Sequence, residues 1–498
     1  MKLFTIGDSI SQGFMSAAAA RTDLCYSTLI ARCLGLQPGR DYLFPRWELG
    51  GHPANVELLL RRLQKLYGGD IFGPIEWPMA ITTAMLFLDK VEDHFERGEG
   101  AIDKHHPTWT PDLRVRQDPW FHNVASRGMT VADAFKLTPA VARSRMNKPL
   151  EDNVFGITQF SFDRTAHAVL NPSGDDAFRD HSPIGWLRRH ARDRSVGGVE
   201  NLVLWLGANN ALATLLEMEI RSTEGCDDVD QRFLRYADFN LWTAAHFEEE
   251  YRILIDHVVD AMRANVYPDW HVFVGDVPAV TVAPLARGVG ERIEAPDPFG
   301  VLTPGGGPGT PRTASYWQYY TYVVFKNIDE PDPSLSLDFE EVYRIDKTIA
   351  QYNQIIRTVL QEANTRLGQN RFVAVETNKT LLEMAFRRNN RRPASLPGPL
   401  EGLVPKPDTR YYHTTRKGHQ IEGGLFSLDG VHPSAIGQGI IAHVFIEAMK
   451  AAGVAVPHSL DWDAIIASDT LRTQPIRLMH ELYDNSRLAH LVLSCIRQ

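Results

Sequence analysis

The chain alternates between short apolar runs and longer amphipathic stretches. The runs that suit buried strands span residues 3–6, 120–125, 201–206, 271–274 and 371–375. Apolar positions at helical spacing predict helices at residues 54–67, 247–263, 338–364 and from 434 onward. Strands that alternate with helices are typical of an open parallel sheet with helices on both faces. The pattern therefore predicts an α/β fold with a five-stranded parallel sheet.

Two further segments are predicted to be helical. Residues 10–20 follow the first strand with a helix-like pattern. A second candidate helix would have one buried side formed by Tyr316, Tyr319, Tyr320 and Val323. The alternative for these aromatic residues is a platform for sugar or acyl chains. Asp338 and Glu341 have the spacing of a capping box, which marks the start of the long helix that follows.

The predicted organisation is one domain over residues 1–450 with long insertions. The insertions span about residues 21–118, 288–315 and 379–427, which is longer than ordinary connections between a strand and a helix. We expect them to form the walls or lids of a site, since sites on such folds vary through their loops. Residues 451–498 are expected to form a helical extension packed on the same domain.

Composition limits the possible functions. Of the 498 residues, 44% are hydrophobic and 23% are charged, and the formal net charge is −9. These values are typical of a soluble globular protein. The acidic balance argues against general binding of nucleic acid or anionic membranes, both of which need a basic surface. Every apolar run is shorter than the roughly 20 residues that a spanning helix needs, so no integral membrane segment is expected.

The first residues and the cysteines bear on the compartment. No charged leader with a long apolar core precedes the first strand, which favours an intracellular, cytoplasmic protein; a processed secreted form is the alternative. The cysteines are Cys25, Cys33, Cys226 and Cys495. They lack the CxxC spacing of a zinc site and the density of a disulfide framework. Free thiols in a reducing compartment are therefore expected.

Metal and phosphate sites have weak signals. The acidic run 92–99 and His105-His106 lack convergent ligand spacing, so a solvated helix face and loop is the preferred interpretation. The glycine-rich segment 300–311 is followed by no Lys-Ser or Lys-Thr pair, and its prolines lack N–H donors. We expect neither a metal nor a cofactor.

Gly7-Asp8-Ser9 ends the first apolar run abruptly. Ser9 would lie where the carboxyl end of a strand meets the amino end of a helix, where unpaired N–H groups stabilise an anion. A helix N-cap at Asp8 or Ser9 is the simpler alternative. Gly128 and Asn209 also follow predicted strands, and the carboxyl ends of parallel strands share one edge of a sheet. Three separate segments are therefore expected to converge near Ser9.

A nucleophilic serine needs a base, and the base needs a carboxylate that orients it. Asp429 and His432 supply both within one tight loop, three residues apart. Gly430 between them permits the sharp turn that this spacing requires. On its own, this pattern more often marks a turn in which the histidine makes ordinary structural hydrogen bonds. Together with Ser9, it predicts a catalytic triad.

Acyl chemistry also needs donors that stabilise the negative charge of the tetrahedral intermediate. The backbone N–H groups of Ser9 and Gly128 and the side-chain amide of Asn209 are the candidates for this oxyanion hole. Glycine lets the main chain approach closely, and asparagine offers a neutral donor.

Four blocks of the chain together resemble the SGNH/GDSL hydrolase family, in the family's usual order. The blocks are Gly7-Asp8-Ser9-Ile10, Gly128, Gly207-Ala208-Asn209-Asn210 and Asp429-Gly-Val-His432. The resemblance implies a flavodoxin-like three-layer α/β/α fold and a serine esterase or lipase that works without a metal. It assigns Ser9 as the nucleophile, His432 as the base and Asp429 as the partner of the base. It assigns Gly128 and Asn209 as oxyanion donors.

The chain departs from the family pattern at two positions. Ile10 replaces the commonest leucine, which is a conservative packing change. Asn210 stands where the family often has aspartate, which puts in question the hydrogen bonds that orient this loop.

Several alternatives stay open. Acyl transfer to an alcohol or sugar would use the same residues, and a catalytically silent binding protein would keep the same fold. The α/β-hydrolase fold has the same triad order but fits worse, because Gly7-Asp8-Ser9-Ile10-Ser11 lacks the second glycine of the nucleophile elbow. The expected substrate is a small-molecule, lipid or glycan ester, with no further detail on its acyl or alcohol part.

Overall fold

The structure is a computed structural model that describes residues 1–19, 21–46, 55–97, 118–146, 161–301, 313–323, 331–386, 388 and 396–480. Its strands are β1 (Phe4–Gly7), β2 (Phe14–Met15), β3 (Ala18–Ala19), β4 (Asn201–Trp205), β5 (His271–Gly275), β6 (Ala286–Pro296), β7 (Thr313–Tyr322), β8 (Ser336–Asp338), β9 (Phe372–Val375), β10 (His413–Thr414) and β11 (Gln420–Glu422). Its helices are α1 (Ser9–Gln12), α2 (Tyr26–Cys33), α3 (Val56–Tyr67), α4 (Gly73–Arg97), α5 (Asp133–Lys136), α6 (Pro139–Met146), α7 (Ser161–Leu170), α8 (Pro183–Arg192), α9 (Ala213–Glu217), α10 (Val229–Leu234), α11 (Ala244–Arg263), α12 (Phe339–Leu367), α13 (Thr377–Met384), α14 (Gly398–Glu401), α15 (Ala435–Ala451), α16 (Trp462–Ser468) and α17 (Thr470–Thr473).

Four of these strands form a parallel sheet in the order β1-β4-β5-β9. Ile6 in β1 pairs with Leu204 in β4, and Leu204 pairs in turn with Val274 in β5. The other sheets are the three-stranded sheet β6-β7-β8 and the two hairpins β2-β3 and β10-β11. The protein therefore belongs to the mixed α/β class, with a parallel sheet of four strands.

Helices cover both faces of the parallel sheet. In β4, Leu202 and Leu204 belong to one hydrophobic core and Val203 and Trp205 to another, because successive side chains of a strand point to opposite faces. Helices α8, α11 and α12 complete the first core, and α2 and α15 complete the second. With both faces buried, the loops at the carboxyl ends of the strands are the natural place for a site.

The helix predicted over residues 10–20 is wrong in its extent. α1 has one turn and ends at Gly13, whose φ of 81° lies in the left-handed region. β2 and β3 then form a hairpin, and its turn residues Ser16 and Ala17 have φ angles of 51° and 61°. Neither residue is the glycine or asparagine that such turns favour, so no local signal marks this hairpin.

The strand predicted at residues 120–125 is reduced to an isolated parallel bridge between Thr5 and Asn123. The Thr5 N–H donates to the His122 carbonyl at 2.8 Å, and the Val124 N–H donates to the Thr5 carbonyl at 3.0 Å. The segment therefore lies along the edge of β1 that does not pair with β4.

The tyrosine-rich segment forms the strand β7 instead of the predicted helix. β6 and β7 pair in a long antiparallel ribbon, from Ala286 opposite Tyr322 to Pro296 opposite Thr313. Aromatic and β-branched residues favour strands when a partner strand is available, and β6 is that partner. Tyr316 is buried, as predicted, and its hydroxyl donates to Asp346 in α12 at 2.8 Å.

The helices predicted from the clearest amphipathic patterns are confirmed. α12 begins with the capping box: the Asp338 N–H donates to Glu341 Oε2 and the Glu341 N–H donates to Asp338 Oδ1, each at 2.9 Å. α3 ends at Gly68, and α15 follows the N-cap Ser434. None of the described helices is both long and apolar enough to cross a membrane.

Some predictions fall outside the described residues. They concern His105-His106, most of the glycine-rich segment 300–311, Cys495 and the last part of the helical tail, residues 481–498.

Candidate active site

Ser9 is the first residue of α1, just past the carboxyl end of β1. The N-cap of this helix is Asp8, whose Oδ1 accepts a hydrogen bond from the Ile10 N–H at 3.0 Å. Ser9 is 5% exposed. Because Asp8 caps the helix, the Ser9 hydroxyl is not needed for that structural role.

Ser9 and His432 are 423 positions apart in the sequence and in contact in the fold, with Ser9 Oγ 2.9 Å from His432 Nε2. On the other side of the ring, Nδ1 lies 2.9 Å from Asp429 Oδ2. An ionised carboxylate only accepts hydrogen bonds, so Nδ1 carries the ring proton and Nε2 accepts from the Ser9 hydroxyl. The structure thus brings together the three residues that the sequence singled out as a triad.

Asp429 is 2% exposed and surrounded by donors. Its Oδ1 accepts from the backbone N–H groups of Val431 at 2.9 Å and His432 at 2.8 Å. Its Oδ2 accepts from the Ala17 N–H at 2.9 Å as well as from the imidazole. Burial acts to raise the pKa of Asp429, but His432 and the backbone donors outweigh it, so the pKa lies below its ordinary value. Asp429 is therefore held as an anion that orients His432.

The β2-β3 hairpin contacts both Asp429 and His432. The Ser16 N–H donates to Ser427 Oγ at 2.8 Å, and the Ser427 hydroxyl donates to Asp429 Oδ1 at 3.2 Å. The ring of Phe14 lies 4.7 Å from the imidazole, centroid to centroid, at an interplanar angle of 56°. No local sequence pattern marks these contacts, because they join segments that are distant along the chain.

Gly128 is exposed, whereas Ser126 and Met129 in the same loop are buried, and this loop is tied to the segment around the candidate nucleophile. The Ser126 N–H donates to the Gly7 carbonyl at 3.2 Å, and the Arg127 N–H donates to Gln12 Oε1 at 2.8 Å. These two bonds tie the loop to the end of β1 and to α1, and the role of Gly128 as an oxyanion donor stays a prediction.

Asn209 lies in the short 3₁₀ turn Ala208–Asn210 that follows β4. Its Nδ2 donates to the Met129 carbonyl at 2.9 Å, which joins this turn to the Gly128 loop. An amide nitrogen has two hydrogens, so this bond occupies one of two donors. The neighbouring Asn210 is buried, and its Oδ1 accepts from the Val131 N–H at 3.2 Å. Asparagine at position 210 thus makes a hydrogen bond that orients the loop.

Asp8 is a second buried carboxylate beside Ser9. Burial raises its pKa to about 6, although the Ile10 N–H and the charge of His432 act in the opposite direction. When ionised, this carboxylate places a second negative charge, besides that of Asp429, close to His432. The sequence had indicated only a capping role for Asp8.

An apolar cleft opens beside Ser9 and His432, with a volume of about 930 Å³ including its mouth. α13 contributes Thr377, Thr380, Leu381 and Met384 to its lining. α15 contributes Gly437, Ile440, Ile441 and Val444. Of the three predicted insertions, the one at 379–427 supplies described lining residues, namely Thr380, Leu381, Met384, Thr409, Leu425 and Phe426. The sequence thus located one wall of the cleft and missed the contribution of α15.

Other candidate groups lie away from this cleft. Across the described ranges, no group of three or more His, Cys, Asp or Glu side chains is arranged to hold a metal ion. Cys25 and Cys33 are buried free thiols, and Cys226 is a half-buried free thiol.

Comparisons of the chain with models of protein families, with curated proteins and with solved structures gave no match. The chemistry of the site is therefore inferred from its own geometry.

Proposed function

We propose that the protein is a serine hydrolase that cleaves carboxylic esters. The observation that carries this proposal is the hydrogen-bonded series Ser9, His432 and Asp429, with both contacts of the imidazole at 2.9 Å. A serine becomes a nucleophile when a positioned base takes its proton and a carboxylate holds the base in the correct tautomer. The burial of Asp429 and its several donors support that role.

In the proposed reaction, Ser9 Oγ forms a bond to the acyl carbon while its proton moves to His432 Nε2. The imidazolium then gives this proton to the leaving alcohol as the ester C–O bond breaks. Water attacks the acyl-enzyme with His432 again as the base, which releases the carboxylic acid and restores Ser9. Asp429 stays ionised and stabilises the imidazolium throughout.

The proposed oxyanion hole consists of the backbone N–H groups of Ser9 and Gly128 and the Asn209 side chain. Two observations support it: the Gly128 loop is tied to the segment around Ser9, and the hydrogen bond from Asn209 to the Met129 carbonyl fixes the amide next to Gly128. Donors held in place before the reaction stabilise developing charge without reorganisation.

We also propose that the fold is flavodoxin-like and that the chain is a divergent relative of the SGNH/GDSL hydrolases. If residues 120–125 are counted as a strand beside β1, the order along the sheet in chain sequence is 2-1-3-4-5, the flavodoxin-like order. The order of the four sequence blocks and the triad geometry agree with that relationship.

The buried thiols of Cys25 and Cys33 support a reducing compartment such as the cytoplasm.

The proposal is tested by labelling the folded protein with a fluorophosphonate probe and identifying the modified residue by mass spectrometry. We expect one adduct, on Ser9, and its loss in Ser9→Ala and His432→Ala. Ester turnover by Ser9→Ala is expected to fall by about 10⁴-fold or more.

The matched control is Ser11→Ala in the same helix, because the Ser11 hydroxyl bonds Tyr26 OH at 2.7 Å and lies outside the proposed series. Its labelling should equal that of the wild type. Equal turnover of an ester panel by wild type and Ser9→Ala would instead indicate a binding protein that retains the fold.

A further inference from the structure

The walls of the cleft beside Ser9 are mainly apolar. The lining residues of α13 occupy positions 377, 380, 381 and 384, and those of α15 occupy positions 437, 440, 441 and 444. Both sets follow the i, i+3, i+4, i+7 spacing of a single helix face. Each helix therefore presents one continuous face to the same space. The face of α15 is apolar, and that of α13 combines two threonines with Leu381 and Met384.

The remaining walls are also apolar. The segment after β5 contributes Pro278, Ala279, Val280 and Ala283, and the segments flanking His432 contribute Leu425, Phe426, Val431 and Pro433. Among the described lining residues, the ionisable groups are Asp8 and His432, both at the catalytic end. A charged or sugar-like group would lose its hydration there without gaining partners, whereas a hydrocarbon gains free energy with each methylene that it buries.

The wall formed by α13 is fixed at its start. Asp276, at the end of β5, accepts hydrogen bonds at Oδ1 from Thr377 Oγ1 at 2.8 Å and from the Asn378 N–H at 2.7 Å. The Ala279 N–H donates to Asn378 Oδ1 at 2.8 Å, which joins a second wall to the same helix. The cleft is therefore preformed, as ligand pockets usually are.

We infer that this cleft binds the unbranched hydrocarbon chain of the acyl group, and that Leu381 and Ile441 help to set the chain length that is accepted. The inference rests on the proposed ester hydrolysis by Ser9. Ser9 and Ile10 themselves line the cleft, so a chain lying in it stays beside the serine to which its acyl group becomes bonded. The leaving alcohol, in contrast, must depart before water attacks.

The face of α15 from Gly437 to Val444 also gives a length scale. Seven residue steps at about 1.5 Å each span about 10 Å, which corresponds to a chain of roughly eight carbons. We therefore expect medium-length acyl chains to fit better than acetyl.

The test uses 4-nitrophenyl esters with acyl chains from acetate to palmitate. For the wild type, we expect kcat/KM to rise at least tenfold from acetate to octanoate. In Leu381→Trp and in Ile441→Trp, which fill the cleft from opposite helices, the ratio of octanoate to acetate kcat/KM should fall at least tenfold. Val404→Trp, at a residue that is 90% exposed and outside the cleft, should leave this ratio unchanged.

Two results would overturn the inference. The first is that both tryptophan variants are folded, as judged by urea titration, and have the same octanoate to acetate ratio of kcat/KM as the wild type. The second is that the tryptophan variants lose turnover of octyl acetate while keeping turnover of ethyl acetate. That result would assign the cleft to the alcohol part of the ester.

Failure of the proposed function is distinguished by a binding measurement that needs no catalysis. Calorimetry with octanamide and the Ser9→Ala protein should detect binding, and Ile441→Trp in the same background should weaken it at least tenfold. Binding without turnover or labelling of the wild type would reject the hydrolase and retain the hydrocarbon site. Labelling of Ser9 without octanamide binding would reject the site and retain the hydrolase.

Discussion

The backbone N–H of Ala17 donates a hydrogen bond of 2.9 Å to Oδ2 of Asp429, the same oxygen that contacts the His432 ring. Ala17 can do this because it adopts a φ of 61° in the turn between β2 and β3. Left-handed backbone costs a residue with a Cβ roughly 1–2 kcal/mol. The turn thus retains a backbone conformation that costs free energy, in a geometry that supports the carboxylate of the candidate triad.

A pair of glycine substitutions measures that cost. Ala17 and its neighbour Ala18 are both buried, but only Ala17 has a positive φ. Ala→Gly removes one methyl and adds chain entropy at either position, and it relieves left-handed strain only at position 17. We expect both substitutions to lower the free energy of unfolding. The loss in Ala17→Gly should be about 1–2 kcal/mol smaller than the loss in Ala18→Gly. Urea titration of both variants checks this, and equal losses would contradict it.

The carboxylate of Asp8 should influence the pH profile of ester turnover. With a pKa of about 6, Asp8 is ionised at neutral pH and loses its charge in mild acid. Its negative charge should stabilise the positive charge that develops on the proposed base in the transition state, so part of the acid limb of the kcat/KM profile should lie near pH 6. In Asp8→Asn that part should be absent, and kcat/KM at neutral pH should fall by up to about tenfold. Asp193→Asn, at a carboxylate outside the site, is the control and should leave the profile unchanged. A profile that Asp8→Asn leaves unchanged would contradict the assigned effect of Asp8.

Buried histidines predict a loss of stability in mild acid. Burial lowers the pKa of His190 to about 3, and both of its ring nitrogens are buried without a hydrogen-bond partner in the described residues. The unfolded chain takes up the proton near pH 6.5, so stability is full above that pH and falls as the pH drops toward 3. We expect a slope of about 1 kcal/mol per pH unit from this residue.

His190→Phe should remove that slope, because Phe packs beside Trp186 and Trp120 without a titrating group. Denaturant titrations between pH 7 and pH 4 measure the difference. His458→Phe at an exposed position is the control. An unchanged slope in His190→Phe would show that this histidine is not the source of the acid sensitivity.

A buried ion pair fixes the turn that forms one wall of the cleft. Arg388 Nη1 lies 2.9 Å from Asp346 Oδ2, with side chains 5% and 1% exposed, and Arg388 Nη2 donates to Thr281 Oγ1 at 2.9 Å. Arg388→Met leaves the Asp346 charge buried and unpaired, so the free energy of unfolding should fall by about 3–5 kcal/mol. Adding Asp346→Leu should recover part of the loss in the same titration. A double variant less stable than Arg388→Met would contradict this account.

The residues of the candidate triad were predictable because their signals are local. Ser9 follows an apolar strand within one sharp turn, and Asp429 and His432 share a short loop that Gly430 lets close with a φ of 68°. Such short patterns can be recognised without knowledge of the fold.

The parts that sequence analysis missed depend on distant partners. Ser16 adopts a positive φ where its N–H meets Ser427, which is 411 positions away along the chain. The segment around Tyr316 is a strand because β6 pairs with it, and the apolar face of α15 becomes a cleft wall only where α13 stands opposite. Periodicity describes one element, whereas these features require two.

The contact between Ser9 and His432 also relates to how the molecule folds. These residues are 423 positions apart, and β1 pairs with a strand that begins near residue 201. Contacts between distant segments form late, because the entropy of closing long loops must be overcome before they contribute stability. A chain that has not yet docked the segment around His432 lacks the proposed base, however complete its sheet. Under the proposed function, reactivity at Ser9 is therefore expected to measure the formation of the native state during refolding, a kinetic readout that probes of secondary structure do not provide.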